Sequence, residues 1–242
     1  MKETFQTPGP VRLDVRVEAG SIEVEARATE TTEVEVDPGN KLAEELLGEV
    51  RVELRGTDLV VEMPRKTGLR IRSPEFAVRV SCPEGSSLLA RTASADVSAR
   101  GRLGGLEVKT ASGDVEAEDV DGETRVNSAS GDVDIVQARG QVVVETASGD
   151  LSIRRAHGRL TARLVSGDVT VGETSDAVDI NSVSGDAEIA IARGAAVYMD
   201  VRSLSGDMVS ELEGSGEPSE GEAVIEVRGK TVSGDVRLAS AA

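Results

Sequence analysis

The chain holds 242 residues but one cysteine, one histidine, one tyrosine, two phenylalanines and no tryptophan. Each scarcity excludes something. Cys82 has no partner for an internal disulfide. With His157 the only imidazole, no hydrolase triad or Cys/His zinc cluster can be assembled. Aromatic residues are 1% of the chain, which leaves little to line a buried small-molecule pocket. No run approaches the ~18 apolar residues of a membrane-spanning helix. The opening stretch MKETFQTPGPVRLDV lacks the apolar core of a secretory signal. The expectation is therefore a cytoplasmic protein, or a secreted one if a leader has been removed. Positive charge is also short: 27 Lys and Arg stand against 44 Asp and Glu, for a net charge of −17. That argues against nucleic acid and anionic membrane surfaces as partners, since both need basic patches. Basic partners stay open.

What the chain has in plenty is glycine, and it is periodic. Glycines stand at 104, 113, 122, 131, 140, 149, 158, 167, 185 and 194, nine residues apart, with Asp176 at the one gap. Asp, like Gly, tolerates positive φ. Every second glycine lies in a Ser-Gly-Asp triplet, centred on Gly113, Gly131, Gly149, Gly167 and Gly185. Later triplets at Gly206 and Gly234 drift out of phase. A fixed period of this kind marks a repeat architecture.

Within one repeat, Leu106, Val108 and Thr110 alternate with Glu107 and Lys109, and Val115 and Ala117 alternate with Glu116 and Glu118. Period-2 alternation broken by a turn marker every nine residues reads as short strands joined by tight turns. Val126, Val133 and Ile135 repeat the pattern 18 residues on, as do Val144, Leu151 and Ile153 after a further 18. An antiparallel meander would leave one apolar face bare, and the repeats hold no amphipathic helix to cover it. The fold class expected is all-β: a two-sided β-solenoid with 18 residues per coil, each strand pairing with its equivalent one coil later. Right-handed coiling is the default for parallel crossovers. Eight coils would span roughly 40 Å.

Residues 1–90 are expected to form an irregular N-terminal β cap. It carries one short helix at 41–48, with Asn40 as N-cap and Gly48 as its stop. Residues 91–242 are expected to form the regular solenoid, continuous with the cap as one structural unit. Its acidic insertion at 211–222 is followed by Val224–Val227 and Val236–Leu238 as the final coil.

TASGDV and VSGDV copies, a short helix before EVRVELRGTDLVVEMP, and GAAVYMDVRSLSGDM followed by EVRGKTVSGDVRLAS occur in that order. In this the chain resembles a bacterial β-strand-repeat family labelled "putative adhesin", a domain of unknown function. It is most similar to members without a secretion signal, of actinobacterial type. The resemblance implies a β-solenoid and offers no catalytic residues.

Several features invite a site. Asp96, Asp114, Asp132, Asp150, Asp168 and Asp186 should stack at about 4.8 Å along one edge. Stacked carboxylates could serve Ca²⁺, which takes 6–8 oxygen ligands, or a partner. The reading favoured here is that each accepts backbone N–H bonds in its own turn, because the opposite edge has no regular ligand. No metal or cofactor is expected. Thr110, Ser128, Thr146 and Ser182 are too interrupted, by Leu164, for an ice-binding ladder. His157 reads as a turn residue. Glu116, Asp134 and Glu188 project outward, but as scattered members of mixed-charge columns, and not as the carboxylate pair of a polysaccharide-active enzyme. Arg65, Lys66, Arg70 and Arg72 form the one basic loop and a candidate partner contact. The function expected is a non-catalytic interaction or scaffold protein, with an unknown protein or cell-envelope partner. Alternatives are a self-assembling filament like the bactofilins, hence a homo-oligomer, and, less favoured, a polysaccharide-active β-helix enzyme.

Overall fold

The computed structural model describes residues 1–64, 73–212 and 224–241. The basic loop 65–72 and most of the acidic insertion therefore lie outside the described residues. In chain order the elements are β1 (Lys2–Gln6), β2 (Arg12–Arg27), β3 (Thr31–Pro38), α1 (Lys41–Leu46), β4 (Arg51–Arg55), β5 (Asp58–Glu62), β6 (Glu75–Pro83) and β7 (Ser87–Leu103). The repeat region follows with β8 (Gly105–Lys109), β9 (Val115–Val120), β10 (Thr124–Ser128), β11 (Val133–Ala138), β12 (Val142–Ser148), β13 (Leu151–Ala156) and β14 (Leu160–Ser166). After these come β15 (Val169–Thr174), β16 (Val178–Asn181), β17 (Ala187–Ile191), β18 (Ala196–Ser205), β19 (Met208–Ser210), β20 (Val224–Ser233) and β21 (Val236–Ser240).

The repeat folds as a two-sided solenoid. β8, β10, β12, β14 and β16 pair in parallel to form one face. β9, β11, β13, β15 and β17 form the other. Register follows the 18-residue period: Val108, Val126, Val144, Ala162 and Ile180 stand in one ladder, and Val115, Val133, Leu151, Val169 and Ala187 in the opposing one. All of these side chains are buried. They point inward because successive residues of a strand alternate faces, and the two faces cover each other. The core is built of Val, Ile, Leu and Ala, with Phe76 as its largest buried side chain.

The order of coils in space departs from their order in sequence at both ends. β20 and β21 do not end the stack. They pair with β16 and β17 on one side and with β18 and β19 on the other. The chain leaves one coil's space empty after β17, and its C-terminal strands fill it. The terminal coil is therefore β18–β19, a correction to the reading of 224–238 as the final coil. At the other end, β2 lies between β7 and the pair β5 and β6. The period shows which residues are equivalent but not which coils are neighbours.

The first coils are closed off by antiparallel pairing of β4 on β5, β3 on β6 and β1 on β3. α1 adds the buried Ala43 and Leu46. Asn40 caps it, its side chain accepting the Ala43 N–H at 2.9 Å. The helix is shorter than the sequence suggests. Leu47–Glu49 tighten into a 3₁₀ turn, so Gly48 sits inside that turn and does not end the helix in a left-handed conformation.

Glycine serves two purposes. Gly131, Gly149, Gly167 and Gly185 have φ between +117° and +127°, a region nearly closed to other residues. Gly122, Gly140 and Gly158, on the opposite edge, do not have positive φ. There a Cβ would lie closer than 3.0 Å to the carbonyl oxygen of the glycine one coil before. Coil stacking, not turn conformation, excludes a side chain at those positions. Asp176, too, lacks the positive φ its place in the series suggested.

Candidate functional site: the Ser-Gly-Asp edge

The aspartates stack as expected, but their bonds cross between coils. Asp114 N–H donates to Asp96 Oδ1 at 3.1 Å, Asp132 to Asp114 at 2.9 Å, and Asp150 to Asp132 at 2.8 Å. Asp168 donates to Asp150, Asp186 to Asp168 and Asp235 to Asp186, each at 2.8 Å, and Asp207 to Asp235 at 2.7 Å. The ladder follows the spatial order of coils, with Asp235 ahead of Asp207. The same residues' carbonyls accept from the preceding coil, as in Val115 N–H to Asp132 O at 2.9 Å. The carboxylates do not close their own turns, because inward hydroxyls take that task. Thr110 Oγ1 accepts the Gly113 N–H at 2.9 Å, and Ser128, Thr146 and Ser182 donate to the carbonyls two residues on. In Asp114, Asp132, Asp150, Asp168 and Asp186, Oδ1 serves the ladder. Oδ2 makes no hydrogen bond within the described residues and lies on an exposed edge.

Beside this row runs a second column that sequence reasoning missed. The residue before each Ser of the triplet is Ala at 93, 111, 129 and 147, then Val165, Val183, Val232 and Leu204 in spatial order. The last four are exposed, Leu204 at 84%. The change from TASGD to VSGD and LSGD was visible in the sequence. Its meaning was not, since Val232 and Leu204 become neighbours only through the exchanged coil order.

Elsewhere on the surface several charges are paired. Arg102 meets Asp121 at 2.7 Å, and Arg139 reaches Asp121 at 2.9 Å and also contacts Asp119. Hydrogen bonding to Arg102 holds the Asp121 carboxyl below its usual range. Lys109 does the same for Glu107, and Arg51 and Arg55 for Glu53. Glu116 and Asp134 are adjacent in one ladder and share a shallow trough of about 450 Å³ with Arg100 and Arg154. Glu188 stands further along, beyond Ser152 and Thr170. His157 is exposed, its Nε2 3.4 Å from Gln137 Nε2. Cys82 is buried, and desolvation pushes its thiol up to about 11. No described helix is long and apolar enough to cross a membrane.

Fold and edge together define a two-sided parallel β-solenoid finished along one corner by a carboxylate-to-amide ladder. The profile of the Toastrack DUF4097 family matches residues 11–239, and the chain belongs to that family. Among solved structures it is similar to a putative adhesin of Bacteroides fragilis, with 10% identity over 98% of this chain and 96% of that one, at a TM-score of 0.49. It is also similar to a protein of Parabacteroides distasonis titled a putative lipid binding protein, with 17% identity over 97% and 96% and a TM-score of 0.47. A putative adhesin of Parabacteroides merdae matches at 13% identity over 97% and 95%, with a TM-score of 0.45. No curated protein matches the chain.

Proposed function

We propose that this chain is a non-catalytic, adhesin-like interaction module whose Ser-Gly-Asp corner is its binding surface. The observation that carries this reading is the pairing, along one corner, of a row of carboxylates whose Oδ2 atoms bond nothing among the described residues and a row of exposed aliphatic side chains. Such a corner suits a partner presenting basic and apolar groups, in the cytoplasm or on the cell envelope, and the net charge of −17 favours the approach of a basic one. Monomeric surfaces seldom keep contiguous exposed apolar patches without a use for them.

The enzymatic alternative finds less support. Among the described residues, neighbouring cations hold the Glu53, Glu107 and Asp121 carboxyls below their usual range, whereas a general acid at neutral pH needs its pKa raised. The test is retention of cell-envelope and cytosolic fractions on the immobilised chain, with reducing-end release measured in parallel. Retention that drops on Val165→Glu with Val183→Glu, holds with Gln141→Glu on the opposite edge, and releases no reducing ends is the expected result. Released reducing ends, or retention indifferent to the corner substitutions, would overturn the reading.

A further inference from the structure

The two ends of the solenoid are finished differently. At the N-terminal end, antiparallel strands β3 and β4 and helix α1 close the first coil. At the C-terminal end, β18 pairs with β20 from Ala196 to Ser205 and β19 pairs with β21. Nothing among the described residues pairs with their outer edges. Met199 and Met208 face inward in register with Val227 and Val236, both buried one coil earlier, yet they are 47% and 52% exposed. On the outward face of β18, Tyr198 and Leu204 are exposed as well. A free strand edge is a template for pairing, and proteins that avoid it place lysine, proline or a bulge there. β18, AVYMDVRSLS, has none of these devices, and its only charges are Asp200 and Arg202.

Those two charges specify a register. If β18 meets β18 of a second copy antiparallel with Val201 on the two-fold axis, Asp200 lies opposite Arg202 of the other copy, twice. Tyr198 then lies opposite the other copy's Leu204, also twice. Sliding by one position on each strand, which keeps outward residues facing outward, sets Asp200 against Asp200 or Arg202 against Arg202. Directly opposed unlike charges stabilise a strand pair and like charges destabilise it.

We propose that β18 is a self-association edge, through which two copies of this chain join end to end in a closed two-fold dimer. The contact is isologous, so it consumes the open end and stops. It therefore excludes the head-to-tail filament, which would need a matching open edge at the capped N-terminal end. Leu204 belongs to the corner row as well, so the test rests on Asp200 and Arg202, which are not corner residues, and involves no corner partner.

The test is sedimentation velocity of the full chain, followed by interference because the chain has one Tyr and no Trp. A dimer is expected. Asp200→Arg alone and Arg202→Asp alone should each weaken it at least tenfold by setting like charges opposite one another. The double swap should restore it. Within β18, Arg202 Nε also donates to Asp200 Oδ1 at 3.1 Å, a pair that the swap restores as well, so circular dichroism of each single variant must show the terminal coil still folded while the dimer is lost. Amide exchange across 197–204 should be slow in the dimer and fast in either single variant. A monomer at all concentrations, a dimer indifferent to both single substitutions, or open-ended growth into long particles would each overturn the proposal. So would a monomer whose 197–204 amides are protected, since another part of the chain would then cover the edge.

Discussion

Asp150 sits in the middle of the edge ladder, where two effects oppose each other. Its Oδ1 accepts the Asp168 N–H at 2.8 Å, and its own N–H donates to Asp132 at 2.8 Å. Removing the acceptor costs about 0.5–1 kcal/mol, the low end for a hydrogen bond because water can replace it on an exposed edge. Its charge also repels the carboxylates above and below. At a spacing of about 4.8 Å each repulsion is about 0.9 kcal/mol in bulk water before screening. Near 10 mM salt the two together cost about 1–1.5 kcal/mol, and at 1 M, where the screening length is about 3 Å, about 0.3 kcal/mol remains. Asp150→Asn keeps an acceptor oxygen and loses the charge. It should stabilise the protein by about 1 kcal/mol at low salt and by almost nothing at 1 M. Asp150→Ala loses both, so it should range from neutral to stabilising by about 1 kcal/mol at low salt and be destabilising by about 0.2–0.7 kcal/mol at high salt. The gap between the two variants should be the same at both salt concentrations, since it is the hydrogen bond alone. Urea unfolding followed by far-ultraviolet circular dichroism reads these differences as midpoints, which suits a repeat protein whose unfolding need not be two-state. Equal effects of Asn and Ala, or an Asn variant destabilised at both salts, would refute the ladder argument.

Two other substitutions probe the stack. Thr124 occupies the inward ladder otherwise held by Leu106, Val142 and Leu160, and its buried Oγ1 has no hydrogen-bond partner among the described residues. Thr124→Val should therefore raise stability by about 1–2 kcal/mol in the same urea assay, and a loss would show that the hydroxyl is satisfied in solution. Gly149→Ala combines φ of +119° with a Cβ pressed on the Gly131 carbonyl and should cost at least about 3 kcal/mol. Gly48→Ala, with open space around its Cβ and no positive φ, should be neutral or stabilising by up to about 1 kcal/mol. Similar melting temperatures for these two glycine variants would contradict the account of coil stacking.

Much of the fold was legible because its causes are local and periodic. Val108, Val126 and Val144 recur at 18 residues, and an 18-residue coil brings them into one ladder. Asn40 before Lys41–Leu46 announced a helix start, and the triplets announced the turns. What escaped depends on contacts between coils. Gly122 and Gly140 look like turn glycines, but the neighbouring coil's carbonyl is what excludes a side chain there. Asp132 looks like a local turn acceptor, but the amide it reaches belongs to Asp150. The placement of β20–β21 inside β18–β19, and of β2 inside β5–β6, is a choice among equivalent partners that periodicity leaves open. Because the coil order was hidden, so was the apolar stripe through Val183, Val232 and Leu204, and with it the more persuasive half of the corner. The unpaired edge of β18 was hidden for the same reason, since the sequence pointed to 224–238 as the end of the stack.

The central claim is that the Ser-Gly-Asp corner is completed by the chain's own amides and serves as a surface, not as a cation site. Calorimetric titration of calcium into the full chain, with melting temperature recorded alongside, tests it most directly. The account predicts only heats of dilution and an unchanged melting temperature in millimolar calcium, because one oxygen of each aspartate is committed and a single column supplies too few others for a 6–8-oxygen shell. Stoichiometric binding with a raised melting temperature, both abolished by Asp132→Asn with Asp150→Asn, would contradict it.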